Sequence, residues 1–533
     1  MSTIQVFFFL FIISYVVSAS SELRYEERRK MNWDNHGGDI FNRRYASGET
    51  KISPQTASRL ALKWKFKAGK DVTATPAIHD GILYFPSWNG NVYAVEAASG
   101  SLVWKFNLSD VTNFSPLGKL GLNYTVARAT PTVAGHILII GIYAPAVVIG
   151  VNRQTGKLIW TTRLDSHAAS LITMSGSFYR GNYYVGTSSL EETLSIGECC
   201  TFRGSFAKLD ARTGAVRWQT FMLPDNNGST KLYSGAAVWG SSPSIDAARN
   251  LVYIATGNLY TVPQTVQNCQ LAENNQTHPA HPDACLGSAI HSDSILALDM
   301  TSGNIKWSRQ IGGYDVWFLS CADPSTPGCP PGPNPDADFG EAPMMLTVNA
   351  NGEEIDIVVA GQKSGYVWAL NRDDGSILWS TEAGPGSIAG GATWGSATDG
   401  ERVYTNIANF NAKNFTLKPS AQVTNAGGWV AMDGSSGKVV WSTANPSNST
   451  SPGPVTVANG VLFAGSAEGT GPVYAFDTKT GSVLWSYTTG ATVHGGMSVS
   501  DGCVYVGHGY TFGIGSLNSK YTAGSYVFAF CVA

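Results

Sequence analysis

Two carboxylates, Glu191 and Asp315, one amide, Asn258, two cations, Arg128 and Lys363, and one indole, Trp239, stand in segments outside the regular pattern that occupies most of this chain. Thr173 and Ser188 add hydroxyls fifteen residues apart, and Cys199 and Cys200 are adjacent. Carboxylate and amide oxygens are the donors a hard cation takes. An indole offers a flat apolar face, while a guanidinium and an ammonium hold negative charge, fixed or developing. Singly, several have ordinary readings: Arg128 as a salt-bridge residue, Glu191 as a solvated neighbour of Glu192, Asn258 as a turn residue after Gly257. Taken as a set they describe a site, provided the fold brings the chain back repeatedly to one place.

A repeat supplies such a fold. Seven segments share an apolar run, then Asp, Asn or Glu, then Gly four residues on, then Trp four residues later: Glu96–Gly100–Trp104, Asn152–Gly156–Trp160, Asp210–Gly214–Trp218, Asp299–Gly303–Trp307, Asn371–Gly375–Trp379, Asp433–Gly437–Trp441 and Asp477–Gly481–Trp485. Each reads as a hairpin whose turn uses the acid or amide and then Gly, with a second strand opening near Trp. Another strand pair precedes most units, as in Ala74-Thr-Pro76-Ala-Ile followed by Gly81-Ile-Leu-Tyr-Phe85. Successive Trp residues lie 40 to 89 apart, room for four strands each. Radial packing of such sheets is a β-propeller. The terminal run Tyr526–Cys531 supplies the first half of an eighth unit and Leu60–Phe66, with Trp64, the second, so the closing blade joins the two ends of the chain. The fold class expected is all-β, an eight-bladed propeller.

Composition agrees with one body. Of 533 residues only 14% are charged, against about 25% in an ordinary globular protein, while Gly (59) and Trp (15) are abundant. That excludes disorder and coiled coil. A net charge of −3 offers no basic face for nucleic acid. Val6–Val17 is a nearly continuous apolar run, too short for a membrane span and followed by small residues, so residues 1–20 read as a cleaved secretory signal and 21–533 as a single domain. Sequons at Asn107, Asn113, Asn123, Asn227, Asn275, Asn414 and Asn448 and eight cysteines agree with secretion, to the extracellular space, cell wall or vacuole. The cysteines divide by spacing into local pairs, 199 with 200, 269 with 285 and 321 with 329, leaving 503 and 531; spacing alone does not fix connectivity.

The Trp repeat resembles the docking motif of the quinoprotein alcohol dehydrogenases, eight-bladed propellers holding pyrroloquinoline quinone (PQQ) and calcium on the axis. The resemblance spans residues 31–533, from Trp33 and Asp39–Tyr45 onward, and is nearest to the polyvinyl-alcohol dehydrogenase branch through Cys199–Gly204 and Gly235–Gly240. It implies roles for the residues outside the repeat. Arg128 resembles the clamp on a cofactor carboxylate, Thr173 and Ser188 the hydroxyl contacts, and Trp239 the stacking platform. Glu191, Asn258 and Asp315 resemble the calcium ligands. Gly313-Tyr-Asp-Val-Trp317 is similar to an Asp-X-Trp-Asp signature whose first acid, here Asp315, is the catalytic base, and Lys363 matches the cation at the reactive quinone oxygens. Cys199 and Cys200 would cover the other quinone face.

Departures from the better-known methanol dehydrogenases are as informative. The adjacent cysteines follow Glu191 rather than preceding the clamping arginine, which leaves a structural role for them open. Phe318 replaces the second acid of the signature. No Cys-X-X-Cys-His occurs, so electrons leave to a separate acceptor rather than an attached haem. The expected function is PQQ- and calcium-dependent oxidation of a primary or secondary alcohol, small or polymeric. The alternatives are a secreted propeller that lost quinone chemistry and binds a wall polymer or specialised metabolite, or one that catalyses another reaction in the same funnel. Loops 261–292 and 320–341 are the expected lids.

Overall fold

In the hairpin Ser205–Asp210 to Val216–Phe221, Asp210 Oδ1 accepts from the backbone N–H groups of Arg212 and Thr213, both at 3.0 Å, and Gly214 closes the turn with φ +74°. This Asx-type turn explains the acid or amide of the six repeats that carry Asp or Asn, whereas Glu96 of the first repeat accepts from the Ser99 hydroxyl instead; the glycine serves the turn in all seven. A β-bulge beyond the tryptophan's pairing partner, as between Ala369 and Leu370 opposite Trp379, recurs in all seven repeat hairpins and in the pairing of Leu60–Lys67.

The computed structural model describes residues 31–111, 124–273, 283–323, 325–350 and 352–533. The leader and the sequons at Asn113, Asn123 and Asn275 lie outside them. The described residues form eight four-stranded antiparallel sheets. Blades 1 to 7 open at Ala77–His79, Thr132–Ala134, Ser177–Tyr179, Ser244–Asp246, Met344–Ala350, Ala397–Thr398 and Thr456–Ala458. Blade 8 is Ser498–Ser500, Cys503–Gly507, Tyr526–Val532 and then Leu60–Lys67, the two ends of the chain pairing from Leu60↔Val532 to Lys67↔Tyr526. The expected split closing blade is therefore the one observed.

Adjacent blades dock through the tryptophans. The indole N–H of Trp64, Trp104, Trp160, Trp218, Trp307, Trp379 and Trp441 donates to a carbonyl of the next blade at 2.9–3.2 Å. Each of these rings covers the turn glycine of that blade: a Cβ on Gly437 would fall 2.5 Å from Trp379. Glycine thus serves the turn and leaves room for the neighbouring indole. Trp485 differs because blade 8 has the chain ends where other blades have this turn, and it packs edge-on against Phe530 at 5.1 Å.

First strands face the axis, and residues 31–46 run around them in order. Ser500 of blade 8 donates to the Met31 carbonyl at 2.7 Å, Trp33 pairs with Ile78 of blade 1, the Asp34 carbonyl accepts from Val133 at 2.8 Å, and Asn35 reaches Ser177 at 3.2 Å. The carbonyls of Ile40, Phe41, Arg43 and Arg44 then accept from Ile245, Met345, Thr398 and Val457 in blades 4 to 7 at 2.7–3.0 Å. All eight blades are touched by one short segment.

Four disulfides join Cys199–Cys200, Cys269–Cys285, Cys321–Cys329 and Cys503–Cys531, the pairing that spacing favoured. The loop at 261–292 carries a helix, Gln264–Glu273, in place of irregular chain. Among the described residues no helix is long and apolar enough to cross a membrane.

Candidate active site

Arg128, Thr173 and Trp239 precede the first strands of blades 2, 3 and 4, while Ser188, Asn258 and Lys363 follow the second strands of blades 3, 4 and 5. Both kinds of connection open on one face of the ring. Backbone geometry that repeats every blade therefore delivers residues from distant parts of the sequence to one end of the axis.

Lys363 lies at the centre of the charged half. Its ammonium is 2.8 Å from Asp336 and 3.0 Å from Asp338, and sits 5.5 Å from the centre of the Trp239 ring. Asp338 also accepts from Trp239 Nε1 at 3.1 Å and from the Asn258 backbone at 2.5 Å. Burial opposes the charge on Lys363, but the carboxylates of Asp336, Asp338 and Glu192 outweigh it and hold the ammonium protonated. Asn258 gives its amide hydrogens to the carbonyls of Leu259 and Trp317, at 2.8 and 2.7 Å, which leaves the side-chain oxygen for another partner.

Asp315 is fully enclosed. It accepts from the backbone N–H groups of Asp336 and Ala337 at 3.1 and 2.6 Å, so it also shapes the loop that carries the lysine's partners. Burial raises its pKa well above the ordinary carboxylate range; those two N–H groups oppose the shift, and Asp338 adds to it. Asp293 is buried beside these groups, and neither of its oxygens has a hydrogen-bond partner; nor does Asp336 Oδ2. Burial and the neighbouring carboxylates push Asp293 and Asp336 up as well.

Glu191 is anchored by a separate set of partners. Its carboxylate accepts from Thr201 N and Phe202 N, both at 2.7 Å, and meets His167 Nε2 at 3.1 Å. Burial opposes its charge, yet these partners win and lower its pKa while raising that of His167. The adjacent Glu192 is the one that feels Lys363 and Asp338, and burial pushes it up to about 7.

The other half is aromatic. Trp239 meets Trp394 edge-on at 4.9 Å, and the Arg128 guanidinium lies 4.2 Å over the Trp394 ring and donates to the Tyr510 hydroxyl at 3.2 Å. Thr173 Oγ1 is 2.9 Å from Ser188 Oγ and 2.9 Å from the Trp239 carbonyl, which fixes the platform's backbone. The Cys199–Cys200 disulfide belongs to a buried apolar cluster with Phe202, Tyr260 and Phe318, against which Trp239 packs.

The model for the β-propeller domain of PQQ-containing glucose, ethanol and alcohol dehydrogenases matches residues 33–387, and one for the outer membrane protein assembly factor BamB matches 425–516. The chain belongs to the PQQ alcohol dehydrogenase family. Its relatives include a polyvinylalcohol dehydrogenase of a Pseudomonas species, 29% identical and matching 90% of this chain and 73% of that protein. A quinohemoprotein alcohol dehydrogenase of Comamonas testosteroni is 21% identical, over 96% and 77% of the two chains. The crystal structure of the Comamonas enzyme superimposes with a TM-score of 0.71 at 20% identity, covering 96% of this chain and 82% of that one. A europium-containing methanol dehydrogenase gives 0.70 at 18%, covering 96% and 100%.

For a PQQ alcohol dehydrogenase propeller, the structure gathers Trp239, Asn258, Asp315 and Lys363 in one charged cluster and links Thr173 with Ser188. Arg128 joins through Trp394. The sequence reading passed over Glu192, Asp293, Asp336, Asp338, Trp394 and Tyr510. Among the described residues no three His, Cys, Asp or Glu side chains converge as metal ligands. The donor chemistry nevertheless fits a hard cation: Asp336 and Asp338 contact the Lys363 ammonium, Glu192, Asp293 and Asp315 feel its charge, and three buried carboxylate oxygens are unpartnered.

Proposed function

We propose that this protein is a secreted PQQ- and calcium-dependent dehydrogenase that oxidises a primary or secondary alcohol, including polymeric ones, to the carbonyl compound. The carrying observation is the juxtaposition, on the axis, of an indole platform, a guanidinium stacked beside it, and an excess of buried carboxylate around Lys363. PQQ, when bound, supplies the quinone carbonyl that accepts two electrons from the alcohol carbon. Arg128 would hold a cofactor carboxylate, Trp239 the ring face, Thr173 and Ser188 its polar edge, and Lys363 the charge on its oxygens.

Calcium would be held by Asn258, Asp315 and Glu191 as the family resemblance assigns them, with Glu192 the carboxylate directed at the same charges. Asp315 is the assigned base for the hydroxyl proton, its raised pKa suiting proton capture near neutrality. Asp336, with one oxygen unpartnered, is the second carboxylate able to take that proton. Tyr260, Phe318 and Cys321 belong to the buried apolar cluster against which Trp239 packs. The polyvinylalcohol dehydrogenases among its relatives favour a polymeric alcohol. Four disulfides and exposed sequons at Asn107, Asn227, Asn414 and Asn448 support export.

The test is to mix the purified secreted protein with PQQ and calcium chloride, then follow cofactor binding and dye reduction with ethanol, 2-propanol and polyvinyl alcohol. Asp315→Asn should abolish turnover with PQQ uptake retained. Correctly folded protein that binds no PQQ would instead favour a binding propeller.

A further inference from the structure

Trp394 holds a backbone conformation that a bulky residue seldom takes, φ +70°. Its surroundings over-determine it. Its N–H donates to the Gly340 carbonyl at 3.0 Å, and its own carbonyl accepts from His36 Nε2 at 2.6 Å. A Cβ on the following Gly395 would meet Arg44 Cδ at 2.7 Å and His36 Nε2 at 3.2 Å, so the axial segment presses directly on this peptide. Strain concentrated at one residue of a site is a pointer to use. Here the strained residue carries the ring on which Arg128 lies and which abuts Trp239.

His36 is fixed in turn. The carbonyl of Trp394 can only accept, so Nε2 carries the hydrogen, and Nδ1 accepts from the Thr75 hydroxyl at 3.2 Å. Burial, with the Arg44 guanidinium second, keeps the ring neutral. Arg44 is itself buried and bonded to the carbonyls of Val455, His36 and Met497 and to Thr456 Oγ1. A rigid chain of contacts thus runs from the axial segment through His36 to Trp394 and Arg128.

We propose that His36 is a positioning residue for the anionic end of the cofactor: by holding the Trp394 carbonyl it keeps the indole where Arg128 can be seated. The proposal rests on the reading of this face as a PQQ site, and its test separates the two. PQQ dissociation constants and urea midpoints are measured for the wild type, His36→Leu, His36→Gln, Trp394→Gly and Arg128→Met, and the ligand-free His36→Leu protein is crystallised. Gln places an amide N–H near the position of Nε2, and Gly accepts the left-handed backbone while removing the ring.

His36→Leu and Trp394→Gly should each weaken PQQ binding about tenfold, the scale of one net buried hydrogen bond, and His36→Gln should restore it to within about threefold. In the crystal, Trp394 should leave its left-handed conformation and Arg128 its seat. Wild-type affinity in both His36→Leu and Trp394→Gly would overturn the proposal, as would a His36→Leu crystal with Trp394 and Arg128 unmoved. If the wild type takes up no PQQ while Arg128 shifts in that crystal, the positioning role stands and the cofactor reading falls. Should His36→Leu not fold, Trp394→Gly still decides: wild-type PQQ binding in that variant would overturn the proposal.

Discussion

Lys363 Nζ lies 2.8 Å from Asp336 Oδ1, and the other oxygen of that carboxylate has no partner although it is buried. The ammonium is therefore the counter-charge on which the enclosed acids depend. Lys363→Met should lower the unfolding free energy by about 3–5 kcal/mol, the usual effect of removing one partner of a buried pair. Adding Asp336→Asn should recover part of the loss. A urea titration of the single and double variants gives the coupling; simple additivity would mean that the two residues do not act together.

Three enclosed histidines each contribute acid sensitivity to the fold. Burial, with Arg128 second, lowers His494 to about 3; burial and Lys65 lower His508 to about 4; His36 is also held well below 6.5. The unfolded chain binds protons at these positions below pH 6.5 and the native state does not, so stability is present above that pH and is lost as pH falls towards the native values. Each group contributes a slope of about 1.4 kcal/mol per pH unit in that window. The enclosed acids Asp315, Asp293, Asp336 and Glu192, held above the carboxylate range, contribute with the opposite sign, so the histidine share is read by difference: as pH falls from 7 to 4, urea midpoints of His494→Phe should rise relative to the wild type by one proton's worth. An unchanged slope would show that His494 titrates normally.

The bridge between Cys503 and Cys531 joins residues directly opposite one another in blade 8 and 28 apart in sequence. Replacing both by Ala should cost about 2–4 kcal/mol, as loop closure of this size implies. Because the bridge lies away from the site, cofactor affinity should stay as in the wild type. Equal thermal midpoints for the two proteins would contradict the prediction.

Gly437 has φ +70° and would place a Cβ 2.5 Å from Trp379. Gly437→Ala combines backbone strain with overpacking, so a loss of about 2–4 kcal/mol is expected. Ala at Gly400, also at positive φ but with open space at the Cβ position, should cost only the backbone part. The difference between the two variants in thermal unfolding isolates the docking contact.

The propeller was legible because its signal is local: acid, glycine and tryptophan recur at a fixed offset, and each turn is built from its own side chain. The second duty of glycine was hidden, since the indole it accommodates comes from another blade. The charged cluster was half legible. Asn258, Asp315 and Lys363 were found, but Asp336 and Asp338 sit in a Pro-rich stretch that reads as a lid. Between Glu191 and Glu192 the spacing gives no choice, because a single turn of 3-10 helix, Glu191–Thr193, decides which carboxylate folds back on Thr201 and Phe202. Trp394 was passed over because its importance lies in what is stacked on it.

The segment of residues 31–46 meets each blade in turn through bonds of nearly constant length. Such a strip works as a gauge of circumference. A ring with one blade more or fewer would leave a rung of that ladder without a partner and shift every later one onto the wrong sheet. The number of blades is written twice in this protein, once in the count of repeats and once in the spacing of a short strip of chain that contains none of them.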